Sequence, residues 1–282
     1  MMSNLVQFVV WLNAGANALG EWLLAPVAVL PGWLSATAIA AVTGVLLLAM
    51  FKYTSHQRAI KCVRDDIDAN LLALKLFKDS ARVAVQAQDR LLRGAVRLFF
   101  LALVPMLVMA VPVCLLVAQL ALWYQSKPLQ VDDEAVMIMK LNGDSDSPWP
   151  DVRLQPTQAM EVTTGPVRVQ SKRWICWEIK AREAGNHRLV FRVNGQPIDK
   201  ELTIGEGYMR VSTQRPGWSC KDALENPAEK PFSPDSPVQS ITIEYPKRAS
   251  WSLWGISPWM IYWFVVSMVA GFCFSRVMNV NI

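Results

Sequence analysis

Three apolar runs constrain what this chain can fold into more than any other feature of its sequence. They cover Leu34–Phe51, Leu98–Tyr124 and Trp251–Cys273, and the second is 27 residues long. A helix rises about 1.5 Å per residue and the hydrocarbon core of a bilayer is about 30 Å thick, so roughly 20 apolar residues cross it. The sequence therefore predicts three membrane-spanning helices.

The distribution of charge indicates which side of the membrane each segment faces. Residues 1–51 contain no Lys or Arg, whereas residues 52–97 contain ten basic and five acidic residues. Short loops rich in Lys and Arg stay in the cytoplasm. We therefore expect an integral protein of the bacterial inner membrane, with residues 52–97 and the C-terminus inside. The N-terminus and residues 125–250 are then extracytoplasmic.

The N-terminal segment is a predicted helix with its polar residues on one side. Within residues 3–24, the side chains of Gln7, Asn13, Asn17 and Glu21 share one arc of the helical wheel. A helix of this kind suits the membrane interface. A fourth membrane span is the alternative. No basic stretch typical of a cleavable signal peptide precedes the apolar residues, so we expect this segment to be retained.

The long cytoplasmic loop predicts a helical hairpin. Residues 54–93 contain neither Gly nor Pro, and apolar residues recur at helical spacing. A straight helix of forty residues would extend about 60 Å from the membrane, yet the chain must return by Leu98. We therefore predict a turn at Lys78-Asp79-Ser80, between two antiparallel arms. The basic surface of this hairpin comprises Lys61, Arg64, Lys75, Lys78, Arg82, Arg90 and Arg93.

Residues 125–250 read as an all-β module, predicted to be a β-sandwich. Apolar side chains alternate along Trp174–Ile179, and Asn194-Gly195 is a strong signal for a type I′ hairpin turn. Seven or so short strands in such a length are typical of a sandwich. The other strands are expected at Ala135–Leu141, Pro166–Gln170, His187–Val193, Lys200–Ile204, Met209–Ser212 and Val238–Tyr245.

The cysteines and histidines give little indication of a metal-binding or catalytic site. Cys176 and Cys220 both lie in the extracytoplasmic module, and the sequence leaves open whether they form a disulfide. The sequence has two histidines, His56 and His187, but no CxxC motif, no Cys/His cluster and no catalytic motif. We therefore expect no enzymatic activity, no cofactor and no bound metal. The basic excess lies in one loop, and we expect no DNA partner.

The polar residues of the spans suggest a hydrated groove that opens to the cytoplasm. Polar side chains within a bilayer usually face the helix bundle or a wet cavity. The alternative is that Ser and Thr bond to their own helix while the cations only anchor the helix ends. Pro105 and Pro112 each remove a backbone hydrogen bond from the second span. The predicted groove residues are Thr43, Lys52, Arg97, Gln119, Ser267 and Arg276.

The layout resembles the YidC/Oxa membrane-insertase superfamily, in its three-span form. That superfamily has a first span, a cytoplasmic helical hairpin, a second span and a third span with its C-terminus inside. The helix over Asn4–Leu24 also resembles the interfacial helix that precedes the bacterial core. The resemblance covers residues 1–124 and 251–282 and rests on topology. This chain departs from the superfamily in two features. Leu34–Phe51 holds no basic residue, and the β domain lies between spans two and three.

The resemblance implies an insertase or membrane chaperone that guides hydrophobic segments of client proteins through the groove. Its hairpin would meet nascent chains, the ribosome or anionic lipids. The alternative is a structural or sensory subunit of a larger envelope complex, with the sandwich and the hairpin as docking surfaces. The predicted order is an interfacial helix with a Pro/Gly break (1–32), span one (33–53), the hairpin (54–97), span two (98–124), the sandwich (125–250), span three (251–275) and a cytoplasmic tail (276–282).

Overall fold

A computed structural model describes residues 2–24, 30–55, 57–76, 81–144, 147–249, 251–253, 256–278 and 280. The chain divides into two compact units. Residues 1–35 and 115–260 form the first, which we call the sheet unit. Residues 36–114 and 261–282 form the second, which we call the hairpin unit.

Helices make up most of the chain outside the β module. Their bounds are α1 Met2–Leu24, α2 Gly32–Thr54, α3 Gln57–Leu76, α4 Ala81–Tyr124, α5 Cys220–Glu225 and α6 Pro258–Ser275. Within the described residues, three helical stretches are long and apolar enough to cross a membrane: Gly32–Thr54, Gln88–Tyr124 and Pro258–Ser275. The three predicted apolar helices are therefore confirmed as helices, and α1 is not among these three candidates.

Two boundaries differ from the sequence-based expectation. The last apolar helix begins at Pro258, seven residues after the predicted start at Trp251. Proline suits the first position of a helix because its fixed φ is helical and its missing N–H needs no partner there. The second run is part of one helix of 44 residues, so no break separates the second hairpin arm from the apolar stretch.

The β module consists of two antiparallel sheets. The strands are β1 Glu134–Leu141, β2 Val152–Leu154, β3 Met160–Val169, β4 Trp174–Ala181, β5 Gly185–Val193, β6 Gln196–Ile204, β7 Gln214–Arg215 and β8 Val238–Ile243. One sheet has the order β3-β4-β1-β8-β7, and the other has the order β2-β5-β6. The strand predicted at Met209–Ser212 is wrong, because that stretch is irregular and the short β7 follows it.

The two sheets share one hydrophobic core, in a sandwich-like arrangement. Met137, Ile175 and Phe191 are fully buried and come from both sheets. Because side chains alternate along a strand, the opposite faces remain partly exposed. Asn194 and Gly195 both have positive φ, at 49° and 81°, and connect β5 to β6 as the predicted two-residue turn.

The disulfide that the sequence left open is absent. Cys176 and Cys220 are both free thiols. Cys176 alternates with the buried residues Ile175 and Trp177 on β4, so its side chain points to the outer face of the five-stranded sheet. Burial raises the pKa of the Cys176 thiol.

A buried ion pair fastens the irregular segment before β8 to β6. The Nζ of Lys200 lies 2.6 Å from Oε1 of Glu229, and the two side chains are 0 % and 7 % exposed. Lys200 also donates to the carbonyl oxygen of Ser212 at 2.7 Å. Burial lowers the pKa of Lys200, and the facing carboxylate of Glu229 opposes this shift. Removing one partner of this ion pair would strongly destabilise the fold, because the other charge would remain buried without a counter-charge.

Replacing Lys200 by methionine tests this role. K200M leaves the Glu229 carboxylate unpaired and is expected to cost about 3–5 kcal/mol. For a domain of this size, the sheet unit should then unfold roughly 10 °C lower, measured by tryptophan fluorescence on heating the detergent-solubilised chain. The control is R153M, which breaks the exposed pair of Arg153 with Asp151. Equal shifts for both variants would contradict a structural role for the buried pair.

Candidate functional site

The hairpin predicted from the sequence is formed by α3 and the beginning of α4. Ile60 and Val63 on α3 are buried, and Ile67 packs against Gly94 of α4. A methyl group added at Gly94 would come within 2.9 Å of a side-chain carbon of Ile67, so glycine permits this close approach. The predicted turn at Lys78-Asp79-Ser80 lies outside the described residues.

The basic surface of the hairpin is only partly described. Lys61, Arg90 and Arg93 are exposed, and Arg64 is half-buried. Arg93 pairs with Asp89, one turn earlier on the same helix. Such exposed pairs contribute little stability, so these charges are free to meet a partner. Lys78 and the side chains of Lys75 and Arg82 lie outside the described residues.

The helix α4 continues from the hairpin into an apolar stretch whose side chains have little contact with the rest of the protein. In an 18-residue apolar stretch of this helix, only 6% of the residues are buried. An apolar helix with so much exposed surface needs lipid or another apolar segment around it. Large side chains at least half exposed are Phe99, Phe100, Val104, Met106, Leu107, Val108 and Val111.

Two of the predicted groove residues meet at the crossing of α2 and α6. The hydroxyl oxygens of Thr43 and Ser267 are 3.3 Å apart, and both residues are buried. Ser267 also donates to the carbonyl oxygen of Ala40 at 2.9 Å, and the indole N–H of Trp263 donates to the Thr43 hydroxyl at 3.0 Å. These hydroxyls therefore connect two helices through side-chain hydrogen bonds.

Small residues allow this crossing, and sequence reasoning missed them. A methyl group added at Gly44 would overlap the carbonyl oxygen of Ser267. At Gly271 it would come within 3.8 Å of the carbonyl oxygen of Gly44. Ala40 and Gly44, like Ser267 and Gly271, are four residues apart. This spacing of small residues is a known signal for close helix packing in membranes and could have been recognised.

The remaining predicted groove residues lie in separate environments. Lys52 donates to the carbonyl oxygen of Met278 at 2.7 Å. Arg97 and Arg276 are exposed. Gln119 belongs to the sheet unit, where its amide donates to Asn17 at 2.7 Å. The open groove itself therefore stays a prediction.

Within the sheet unit, α1 docks by its polar side. The side-chain amides of Asn13 and Asn17 donate to the carbonyl oxygens of Ala223 and Pro227, at 2.6 Å and 2.7 Å. On the other side of the helix, large apolar residues are exposed. They are Leu5, Phe8, Trp11, Leu19, Trp22 and Leu23. Thus α1 binds the β module through polar contacts and presents an apolar face outward, as an interfacial helix does.

Aromatic residues link the ends of three helices inside the sheet unit. The Tyr124 hydroxyl at the end of α4 donates to the Ser35 hydroxyl near the start of α2, at 3.0 Å. The Tyr124 ring also stacks on Trp259 of α6, with centroids 6.3 Å apart. Tyr208 lies beside Tyr124, at a centroid distance of 5.4 Å. These contacts hold the β module against the helix ends.

No protein-family model, no curated protein and no solved structure matches this chain. Among the described residues, no three His, Cys, Asp or Glu side chains come together as a group that could hold a metal. The candidate site that these contacts and exposed surfaces define consists of the hairpin, the exposed apolar surface of α4 and the α2–α6 crossing.

The crossing can be tested with two matched glycine substitutions. G44A places a methyl group against the Ser267 carbonyl and should separate the helices, lowering the melting temperature of the detergent-solubilised chain. At Gly15 on α1, leaving aside its chain neighbours and the helix's own backbone, no atom of the described residues lies within 4 Å of the added carbon, so G15A should be neutral or slightly stabilising. S267A should have an intermediate effect of about 1 kcal/mol, as expected for one hydrogen bond between membrane helices. Equal melting temperatures for G44A and G15A would contradict the close crossing.

Proposed function

We propose that this chain is a membrane protein insertase or membrane chaperone of YidC/Oxa type. The observation that carries the proposal is the unbroken course of α4 from an exposed basic hairpin arm into an exposed apolar helix. A client segment that first meets the hairpin can pass along the same helix into the bilayer. In this proposal, Phe100 and Leu107 lie on the surface that the client contacts.

In the proposed orientation, the three apolar helices cross the membrane with the hairpin in the cytoplasm and the two sheets outside. The basic residues support this orientation, because residues 1–51 have none and the hairpin has many. Arg97 directly precedes the exposed apolar stretch of α4 and would lie at the cytoplasmic interface. Long basic side chains are favourable at that depth.

The physical task of such a protein is to lower the cost of moving a polar flank across the bilayer. A charged residue at the centre of a membrane helix costs about 2.5–3.5 kcal/mol on insertion scales. A helix with unpartnered apolar surface offers the client a neighbour to pack against, and the hairpin holds its flank near the membrane. The hydroxyls of Thr43 and Ser267 serve a different purpose here, because they hold α2 and α6 together.

Site-specific photocrosslinking tests the proposal. A benzoylphenylalanine at Phe100 or Leu107 should crosslink to ribosome-bound nascent chains that carry a hydrophobic segment and a short translocated tail. The same probe at Val162 or Val167, exposed apolar positions on β3, is the matched control and should give no crosslink. A nascent chain with its hydrophobic segment replaced by a polar one should also give none. Failure to crosslink from both α4 positions would overturn the proposal.

The second candidate function is that of a structural or sensory subunit of an envelope complex. The observation that favours it is the contact of Tyr208 in the β module with Tyr124 at the end of α4. Tyr124 in turn contacts Ser35 of α2 and Trp259 of α6. A partner bound outside could then be coupled to the helices. Purification of the chain with stoichiometric envelope proteins, together with normal insertion of short-tailed clients in its absence, would favour this function over the first.

A further inference from the structure

An open cleft lies within the sheet unit. It has a volume of about 580 Å³ and is lined by α1, the last turn of α4, strands β5 and β6 and residues 208–210. Trp123 and Tyr208 form part of its wall, and Thr203 and Asn186 add polar groups. Neither the hairpin nor the apolar surface of α4 contributes to this cleft.

Charged groups of both signs line the cleft. Arg210 is largely buried, and its Nη1 lies 3.2 Å from Glu201 and 3.8 Å from Glu21. Its Nη2 donates to the carbonyl oxygen of Ala228 at 3.0 Å, while its Nε is buried without a hydrogen-bond partner among the described residues. Arg188 is exposed and lines the cleft, and its Nη1 lies 3.6 Å from Asp199, which is not a lining residue. The cleft thus holds two carboxylates and two guanidinium groups.

We propose that this cleft binds the headgroup of a zwitterionic phospholipid that carries a primary amine, phosphatidylethanolamine. Its phosphate would accept hydrogen bonds from Arg188 and Arg210, because guanidinium groups bind phosphate through paired N–H donors. Its ammonium would donate to Glu21 and Glu201. The proposal concerns a lipid site and rests on the membrane orientation, but it does not rest on insertase activity.

The balance of charge favours a ligand with both signs. A simple anion in the cleft would meet Glu21 and Glu201 as well as the arginines, and a simple cation would meet both arginines. A zwitterion can place each of its charges beside the opposite charge of the protein. The primary ammonium offers three N–H donors to the carboxylates, whereas a choline group offers none. This difference makes phosphatidylethanolamine the better ligand of the two zwitterionic lipids.

The location of the cleft favours a lipid over a soluble ligand. Trp123 lines the cleft and is one residue from the end of an apolar helix long enough to cross a bilayer. Trp and Tyr at such helix ends lie at the level of the lipid headgroups. Glu21 lies on α1, whose outward face is apolar, so the same helix borders both the cleft and the membrane interface. A headgroup could therefore enter from the side while its acyl chains stay in the bilayer.

Native mass spectrometry of the full chain in detergent tests the proposal. The probes are short-chain phosphatidylethanolamine, phosphatidylcholine and phosphatidylglycerol, together with free phosphoethanolamine. We expect phosphatidylethanolamine to bind about tenfold more tightly than either other lipid, equivalent to about 1.4 kcal/mol. Equal binding of the three lipids, or a preference for phosphatidylglycerol, would overturn the proposal. Equal affinity for the free headgroup would overturn the assignment to a lipid.

Two exposed residues provide variants that should fold normally. E21Q should reduce the preference for phosphatidylethanolamine severalfold, because it removes a carboxylate that the ammonium meets. R188Q should weaken the binding of all three lipids severalfold, because each of them presents a phosphate. The controls R192Q and E244Q alter exposed residues of the same unit that do not line the cleft. An unchanged preference in E21Q, or an unchanged affinity for all three lipids in R188Q, would contradict the site. Retained client crosslinking from α4 in R188Q would show that the lipid site and the proposed insertase surface are separate.

Discussion

The pairing of the segment after α4 with the segment before α6 is the contact on which the sheet unit depends. The backbone N–H of Lys127 donates to Pro246 at 2.9 Å, and that of Arg248 donates to Gln125 at 3.1 Å. Because the chain enters and leaves the β module side by side, a domain of two sheets can be inserted without separating the ends of the two helices. The guanidinium of Arg248, 3.9 Å above the Tyr208 ring, covers this pairing. The same arrangement brings the end of α4 beside the start of α6, where Tyr124 contacts Trp259.

The polar residues of the apolar helices are used mainly for packing. Thr43 and Ser267 connect α2 to α6, and Asn17 of α1 accepts from Gln119 in the sheet unit. With these groups satisfied inside the protein, the apolar side of α4 and the basic hairpin that leads into it are among the described surfaces that remain open to a partner. In our proposal this surface receives client segments, and the charged cleft of the sheet unit holds a lipid headgroup. The two surfaces use different chemistry, so they can be altered separately.

Local sequence patterns predicted the helices and the β-hairpin. Which side chains meet, and which are buried, depends on contacts between residues far apart in sequence. Apolar length, helical spacing and the Asn194-Gly195 turn each act over a few residues, and the corresponding helices and hairpin are present. The partner of Ser267 could not be predicted from polarity alone, because polarity does not say which helix faces it. Likewise, Lys200 lies on the same inward face of β6 as Leu202 and Ile204 and is fully buried, since Glu229 reaches it from a segment 29 residues away. The composition changes from charged to apolar near Leu98, but no residue there breaks a helix, and α4 runs through both segments.

The central claim is that the hairpin and the two sheets lie on opposite sides of a membrane, and thiol labelling tests it most directly. Cys62 on α3 is exposed, and Asp235 is an exposed position of the sheet unit where a cysteine can be introduced as D235C. Each thiol is kept alone by replacing the other cysteines with serine. In right-side-out membrane vesicles, an impermeant maleimide should label D235C and leave Cys62 unmodified, and inside-out vesicles should give the reverse. Labelling of both positions from the same side would contradict the account.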